Sequence, residues 1–383
     1  MQRRRFVTSL PLAVIGGSIA LTRCAAASSE GADEPPTPVV PGVFAGLMPD
    51  EGDQHLRTWM AFTTSTAIWG RDLPAVQSDL IAIADAIAAF EPVTMLVMEG
   101  GRATAQTLLD RARNRANISL LSAELNDLWM RDTGPVFAKN RTGSGYSAVD
   151  FNFNGWGNKQ THTLDAKVAA FVAASTGVSR IQSTLRLEGG GLEVDGDGTA
   201  IVKESCVLND NRNPGISKAQ CETELRRLLG LDKIIWLPGP AGGDITDAHT
   251  DFYARFAQPG TVVVSHDAND VYGERSVTHR HIDTLRSATD AKGRTLAIEV
   301  INVPENPSSP SSSSKDFAAG YINYYVCNRA VIMPKFGDLS ADESARAKLA
   351  VLYPSRTVVT LTINAIAKGG GGIHCTTQQQ PMR

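Results

Sequence analysis

Apolar residues recur at three- and four-residue spacing along 74–89, 102–116, 163–175, 217–229 and 341–352, and that period predicts five amphipathic helices. Shorter apolar or alternating runs between them predict strands at 93–98, 136–138 with 147–151, 192–194 with 200–202, 234–237, 252–256 with 261–264, 296–300, 321–326 with 330–334, and 358–361. Three of the pairs carry turn chemistry at the tip, "VDGDGTAIV", "RFAQPGTVVV" and "YYVCNRAVIMP", and read as hairpins. Strand, hairpin, helix and strand return in the same order at intervals of roughly 50–70 residues, an architectural repeat without sequence identity. This interleaving predicts one large α/β domain over 41–383. Either a ring of units or a doubly wound sheet accommodates it.

The chain has 383 residues and a formal net charge of −3, enough length for a large core and no electrostatic case for nucleic acid. Its start changes the picture. "MQRRRFVTSLPLAVIGGSIALTRCAAASSE" has basic residues, then an apolar stretch, then small residues, which is the layout of a signal peptide over 1–27. Arg3-Arg4 followed by Phe6 fits twin-arginine export. Pro11, Gly16 and Gly17 interrupt the apolar stretch, so a stable membrane span is not expected, and no membrane association is expected after cleavage. Arg23 is a poor neighbour for lipidation of Cys24. Residues 28–40 read as a disordered polar leader, and 306–316, "NPSSPSSSSKD", as a Ser/Pro loop. Cys206, Cys221, Cys327 and Cys375 remain, with disulfides not expected of a protein that folds before export.

Four stretches place reactive side chains beside apolar strands or tight turns: "LWMRDTGPVF", "LEGGGLEVDGDG", "GDITDAHTDFYARF" and "GGGGIHCTTQQQ". If 247–252 is extended, Asp247, His249 and Asp251 share one face, and the carboxylates favour the imidazolium of His249. The same pattern supplies oxygen and nitrogen ligands, so a metal-dependent hydrolase is a rival reading, and solvated charges at a strand end are the bland one. In "WMRDTGP", Asp132 is either a turn-capping residue or a functional carboxylate. The glycines after Glu188 either permit a bulge or clear space for a ligand approaching the backbone. Cys375 follows a glycine run whose amides could gather round an anion. His374 is the obvious base for it, but neighbours on an extended segment point to opposite faces, so His249 is preferred. A nucleophilic thiol, a histidine and three carboxylates suit attack by sulfur on a cationic substrate.

These same stretches, with "MPDEGDQHLRTWMAF", "FNFNGWGNK" and "NYYVCN", resemble the agmatine deiminase and bacterial peptidyl-arginine deiminase family of guanidino-group-modifying enzymes. The resemblance spans about 48–381 and implies an α/β fold, a five-bladed propeller (pentein) of strand-hairpin-helix units. It implies Cys375 as nucleophile, His249 as general acid and then base, and Glu188 as the carboxylate that orients His249. Asp132 and Asp251 would grip the guanidinium, with Trp129, Arg131, Trp156 and Asn323 as further substrate-binding residues. No metal and no cofactor are implied. The expected activity is hydrolysis of a small guanidino substrate, agmatine first, to a ureido product and ammonia through a covalent thiouronium. Peptidyl-arginine or another guanidino compound is the alternative, and a non-catalytic amine-binding propeller is the alternative of another class. A homodimer is compatible with the resemblance. Two features depart from it: Ala248 stands where the family often has Gly, and an export signal precedes a fold whose agmatine-specific members are usually cytoplasmic.

Overall fold

In the computed structural model, which describes residues 46–140, 145–239, 243–308 and 316–382, one module is built five times. A first strand pairs antiparallel with a second, and the second pairs in parallel with a third. The modules are Val136–Asn140, Tyr146–Asp150 and Arg180–Gln182; Leu192–Val194, Thr199–Lys203 and Lys233–Leu237; Ala254–Gln258, Thr261–His266 and Ala297–Asn302; and Tyr325–Cys327, Ala330–Lys335 and Thr357–Thr362. The fifth joins segments near the two ends of the described residues: Gln378–Pro381 pairs antiparallel with His55–Phe62, which pairs in parallel with Val93–Val97. A parallel pair cannot be closed by a tight turn, so each second strand is followed by a crossover helix. These helices are Leu73–Ala88, Val168–Thr176, Lys218–Leu229, Arg275–Arg286 and Leu339–Leu352. The result is a mixed α/β fold with its core between helices and sheets.

The local signals explain most of these elements. Pro74 opens the helix Leu73–Ala88, which buries Val76, Leu80, Ile83, Ala84 and Ile87. Lys218–Leu229 has a complete Ser217/Gln220 capping box and ends at Gly230, φ 69°. The helix predicted over 102–116 stops at Leu109, because Asp85 takes the backbone N–H of Asn114 at 2.7 Å into a turn instead. Arg275–Arg286 was not predicted. Its buried face uses Thr278 and His281 beside Ile282 and Leu285, so apolar periodicity alone does not reveal it. His55–Phe62, Ile118–Ser122 and the polar Gln378–Pro381 are further strands outside the predicted set. The signal peptide, the leader and residues 309–315 of the Ser/Pro loop lie outside the described residues. Cys206, Cys221, Cys327 and Cys375 are free and buried.

Buried glutamines in the last strand are paid for by side-chain hydrogen bonds. Gln380 accepts from Trp59 Nε1 at 3.0 Å and donates to Tyr146 OH at 2.9 Å, while Gln379 accepts from Arg131 Nη1 at 2.8 Å. A larger polar cluster centres on Glu51. Its Oε1 accepts from Arg255 Nη2 and the Val326 N–H, both at 2.8 Å, and its Oε2 faces Arg131 Nη2 at 3.0 Å and His374 Nε2 at 2.8 Å. Arg255 also donates to Glu193 at 2.9 Å. Burial alone would raise the Glu51 carboxyl, but Arg255, His374 and Arg131 hold it well below the ordinary range. Residues in or beside four modules therefore meet at one ionised carboxylate, and Glu193 of the remaining module joins them through Arg255.

Candidate active site

The four predicted stretches converge. Cys375 sits in the short turn His374–Thr376 rather than on an extended segment, so the alternation argument about His374 does not apply. His374 nevertheless faces away from the sulfur, toward Asp251 and Glu51. Of the preceding glycines, Gly372 turns its backbone N–H to the Cys375 sulfur, which favours the thiolate, and close packing explains Gly371 and Gly372. A Cβ on Gly371 would lie 2.0 Å from the Trp129 ring, and one on Gly372 2.3 Å from Asn323 Oδ1. Asn323 holds the nucleophile: its Nδ2 lies 3.4 Å from Cys375 Sγ, and its Oδ1 accepts from the Cys375 N–H at 3.4 Å.

His249 is not on a strand either. Asp247 and Ala248 both have positive φ, 59° and 70°, before the short turn Thr250–Phe252. This twist removes Asp247 from the face shared by His249 and Asp251, and its carboxylate pairs with Arg212 and Lys159, both at 2.7 Å. The Asp247–His249–Asp251 ligand set expected from alternation is therefore not assembled. His249 Nε2 contacts Glu188 Oε2 at 3.2 Å, and Nδ1 lies 3.6 Å from Asp132 Oδ1. Burial opposes the imidazolium, but Asp132, Glu188 and Cys206 outweigh it and push the His249 pKa well above its usual value.

Glu188 is fixed from behind by Arg212, whose Nε donates to both carboxylate oxygens at 2.9 Å. Against a burial cost that would raise it, Arg212 and His249 hold Glu188 at about 2. Glu188, Cys206 and His249 do offer ligand-type atoms within 4.8 Å of one another. However, Glu188 already carries a buried guanidinium, and a metal ion there would face that cation at close range. Arg212, in "NDNRNP", was missed by the sequence reading; a lone Arg in a polar turn gives little sign that it is buried.

Asp132 and Asp251 face each other across Gly190. A Cβ on that glycine would stand 2.6 Å from His249 Nδ1, 3.0 Å from Asp132 Oδ1 and 3.2 Å from Asp251 Oδ2. Three polar groups thus surround one point that only glycine leaves open. Trp156 Nε1 donates to Asp132 Oδ2 at 3.0 Å, yet burial still raises the Asp132 carboxyl to about 6. Asp251 is also buried, but the hydrogen bond and charge of His374 lower its pKa. Its Oδ1 is buried without a hydrogen-bond partner among the described residues, and its Oδ2 lies 3.7 Å from Cys375 Sγ. Burial, then Asp251 and Asp132, push the Cys375 thiol well above its ordinary range.

A narrow cavity reaches this cluster, lined by Trp129, Asp132, Trp156, Ile245, Thr246, His249, Phe252, Gly369, Gly370 and Cys375. Trp129 and Trp156 are therefore walls of the cavity. Arg131 is not, because its guanidinium is turned to Glu51, Gln379 and the His374 carbonyl. The substrate contact expected of Arg131 is replaced by a structural one.

Residues 47–381 match the model of the Porphyromonas-type peptidyl-arginine deiminase family. An agmatine deiminase of Pseudomonas putida is 35% identical over 358 residues, covering 87% of this chain and 95% of the relative. The structure of an agmatine deiminase of Enterococcus faecalis superposes with a TM-score of 0.82 at 28% identity, covering 90% of this chain and 99% of that one. The fold alone is shared with a dimethylarginine dimethylaminohydrolase, at a TM-score of 0.51 and 12% identity over 85% of this chain and all of that one. Matched along nearly its whole described length, the chain belongs to the Porphyromonas-type peptidyl-arginine deiminase family and is a hydrolase of linear amidine C–N bonds.

Proposed function

We propose that the protein deiminates agmatine to N-carbamoylputrescine and ammonia. The observation that carries this reading is the convergence of Asp132, Asp251 and His249 on the space above Gly190, beside the Cys375 sulfur. Two buried carboxylates suit a planar cation, and the unpartnered Oδ1 of Asp251 is an acceptor for one of its N–H groups. Holding the cation aligns its carbon for attack, an effect worth about 7–11 kcal/mol in favourable geometries.

As the bound cation offsets the carboxylates that oppose thiolate formation, the Cys375 thiol loses its proton to solvent. Cys375 Sγ then bonds to the guanidinium carbon, His249 gives its proton to the departing nitrogen, and the C–N bond breaks to release ammonia. The thiouronium left on sulfur is hydrolysed when His249, now neutral, takes a proton from water. The C–S bond breaks and the ureido product forms. Glu188 and Arg212 hold the imidazole in place throughout.

The cavity supports a substrate without an α-carboxylate. No Arg or Lys lines it among the described residues, and Trp129, Trp156, Ile245 and Phe252 supply apolar walls. Aromatic faces suit an alkyl chain ending in an ammonium. The repetition of one module in five sheets, with residues of all five linked through Glu51 and Arg255, supports the wider architectural reading, a five-bladed propeller with the site at its axis. The twin-arginine pattern at Arg3-Arg4 supports export, which cell fractionation of the full chain tests: retention of all activity with cytoplasmic markers would refute it.

The function is tested by ammonia release from agmatine, free arginine and a blocked arginine peptide, with and without chelator. Agmatine is expected to give the highest kcat/KM and chelator to leave it unchanged. Cys375→Ala should abolish turnover; retained turnover would refute the covalent route, and preference for the peptide would reassign the substrate.

A further inference from the structure

A carboxylate that grips a cation must keep both its charge and its direction. For Asp251, the contacts that do this come through His374. The His374 ring is 2% exposed, with Nδ1 2.7 Å from Asp251 Oδ2 and Nε2 2.8 Å from Glu51 Oε2. It supplies the nitrogen donor to the Asp251 carboxylate among the described residues, the other contact being the Cys375 thiol at 3.7 Å. Glu51 cannot drift, because Arg131, Arg255 and the Val326 N–H hold it from three other segments. With Oδ2 pinned, the plane of the carboxylate is set and Oδ1 is left without a partner.

We infer that His374, braced by Glu51, is a positioning residue that fixes the Asp251 carboxylate beside Gly190 and Cys375, where it meets the substrate cation. The inference rests on the guanidino reading of the site. It also answers why a histidine precedes the nucleophile without touching it. The charged and titratable groups facing Asp251 are His374, His249, Arg255, Asp132 and Cys375. Burial raises the Asp251 carboxyl, and His374 provides the largest opposing contribution, ahead of His249 and Arg255. Without His374, Asp251 takes up a proton more readily and rotates more freely, so substrate binding suffers before the chemical step does.

The test uses the full chain with H374Q, D251N and the double variant, each checked by thermal melting. Two readouts are compared: kcat and KM for agmatine, and protection of Cys375 from iodoacetamide by agmatine. H374Q should raise KM and the half-protecting agmatine concentration at least tenfold, with a smaller fall in kcat. The acid limb of its kcat/KM profile should move to higher pH. The double variant should bind no worse than D251N alone, since the two residues act through one carboxylate. H374Q with wild-type KM and protection, or losses that simply add in the double variant, would overturn the inference. Should H374Q fail to fold, H374N carries the same comparison. A wild-type protein that agmatine does not protect would overturn the guanidino reading itself, whereas a protected wild type with an equally protected H374Q overturns the positioning role alone.

Discussion

Gly190→Ala removes no functional group, yet it should abolish activity. The added methyl would lie 2.6 Å from His249 Nδ1, 3.0 Å from Asp132 Oδ1 and 3.2 Å from Asp251 Oδ2. Carbon does not approach a nitrogen that closely, and His249 must retreat by about 0.4 Å merely to reach 3.0 Å. It has little room to do so: Nε2 is against Glu188 at 3.2 Å, and Glu188 is locked to Arg212. The strain should cost about 1–3 kcal/mol of stability, as overpacking generally does. The larger effect is on function, because the methyl occupies the point where the guanidinium must sit. Displacements near 1 Å from productive geometry cost roughly 10²-fold in rate, and outright exclusion costs more. Ammonia release from agmatine, a thermal melt, and iodoacetamide labelling of Cys375 separate the effects. The expected result is a modest drop in Tm, a reactive thiol that agmatine no longer protects, and kcat/KM down by at least roughly 10³-fold. A G190A protein with near-wild-type kcat/KM would refute the placement of the cation above Gly190.

Asp132 titrates near 6 in the fold against 3.8 for an ordinary aspartate, so the folded state holds an extra proton between those values. Stability therefore falls as pH rises through about 4–6, by up to on the order of 3 kcal/mol. Asp132→Asn should melt higher than wild type at pH 8, lose that advantage at pH 4, and be inactive; an unchanged difference across pH would contradict the assignment. Since Asp132 must be ionised to hold the cation, wild-type kcat/KM should decline below about pH 6. The buried thiol predicts that alkylation of the free enzyme at Cys375 keeps accelerating beyond pH 9, and a plateau near neutrality would contradict it. Arg212→Ala leaves Glu188 and Asp247 without their shared buried cation and should cost about 3–5 kcal/mol in urea unfolding along with activity. Ala248→Gly relieves a φ of 70° and should stabilise by about 0.5–1 kcal/mol with activity intact, read from the denaturation midpoint.

Periodicity in the chain was sufficient for four crossover helices and for the hairpins at 192–202, 254–266 and 325–335, because each depends on local spacing and turn residues. The reactive set was also legible, since Cys375, His249, Glu188, Asp132 and Asp251, each with a plainer use taken alone, together make a combination suited to sulfur attack on a cation. Distance and direction were not. Alternation placed Asp247 beside Asp251, but two consecutive positive φ angles turn it to Arg212, and no pattern of side chains announces that twist. Arg131 looked like a substrate ligand because an exposed arginine and one buried against Glu51 are written with the same letter. The amphipathic face of Arg275–Arg286 escaped notice because tertiary packing buries Thr278 and His281 as if they were apolar. The glycine run before Cys375 marks the site in the sequence, but only the fold shows that the Trp129 ring and the Asn323 amide lie where a Cβ of Gly371 or Gly372 would go. By itself, then, the sequence determined the repeating secondary structure and the inventory of the chemistry. Tertiary structure decided which groups meet, because pairing His55–Phe62 with the last strand and gathering distant segments on Glu51 depend on contacts across nearly the whole described chain, which no local signal encodes.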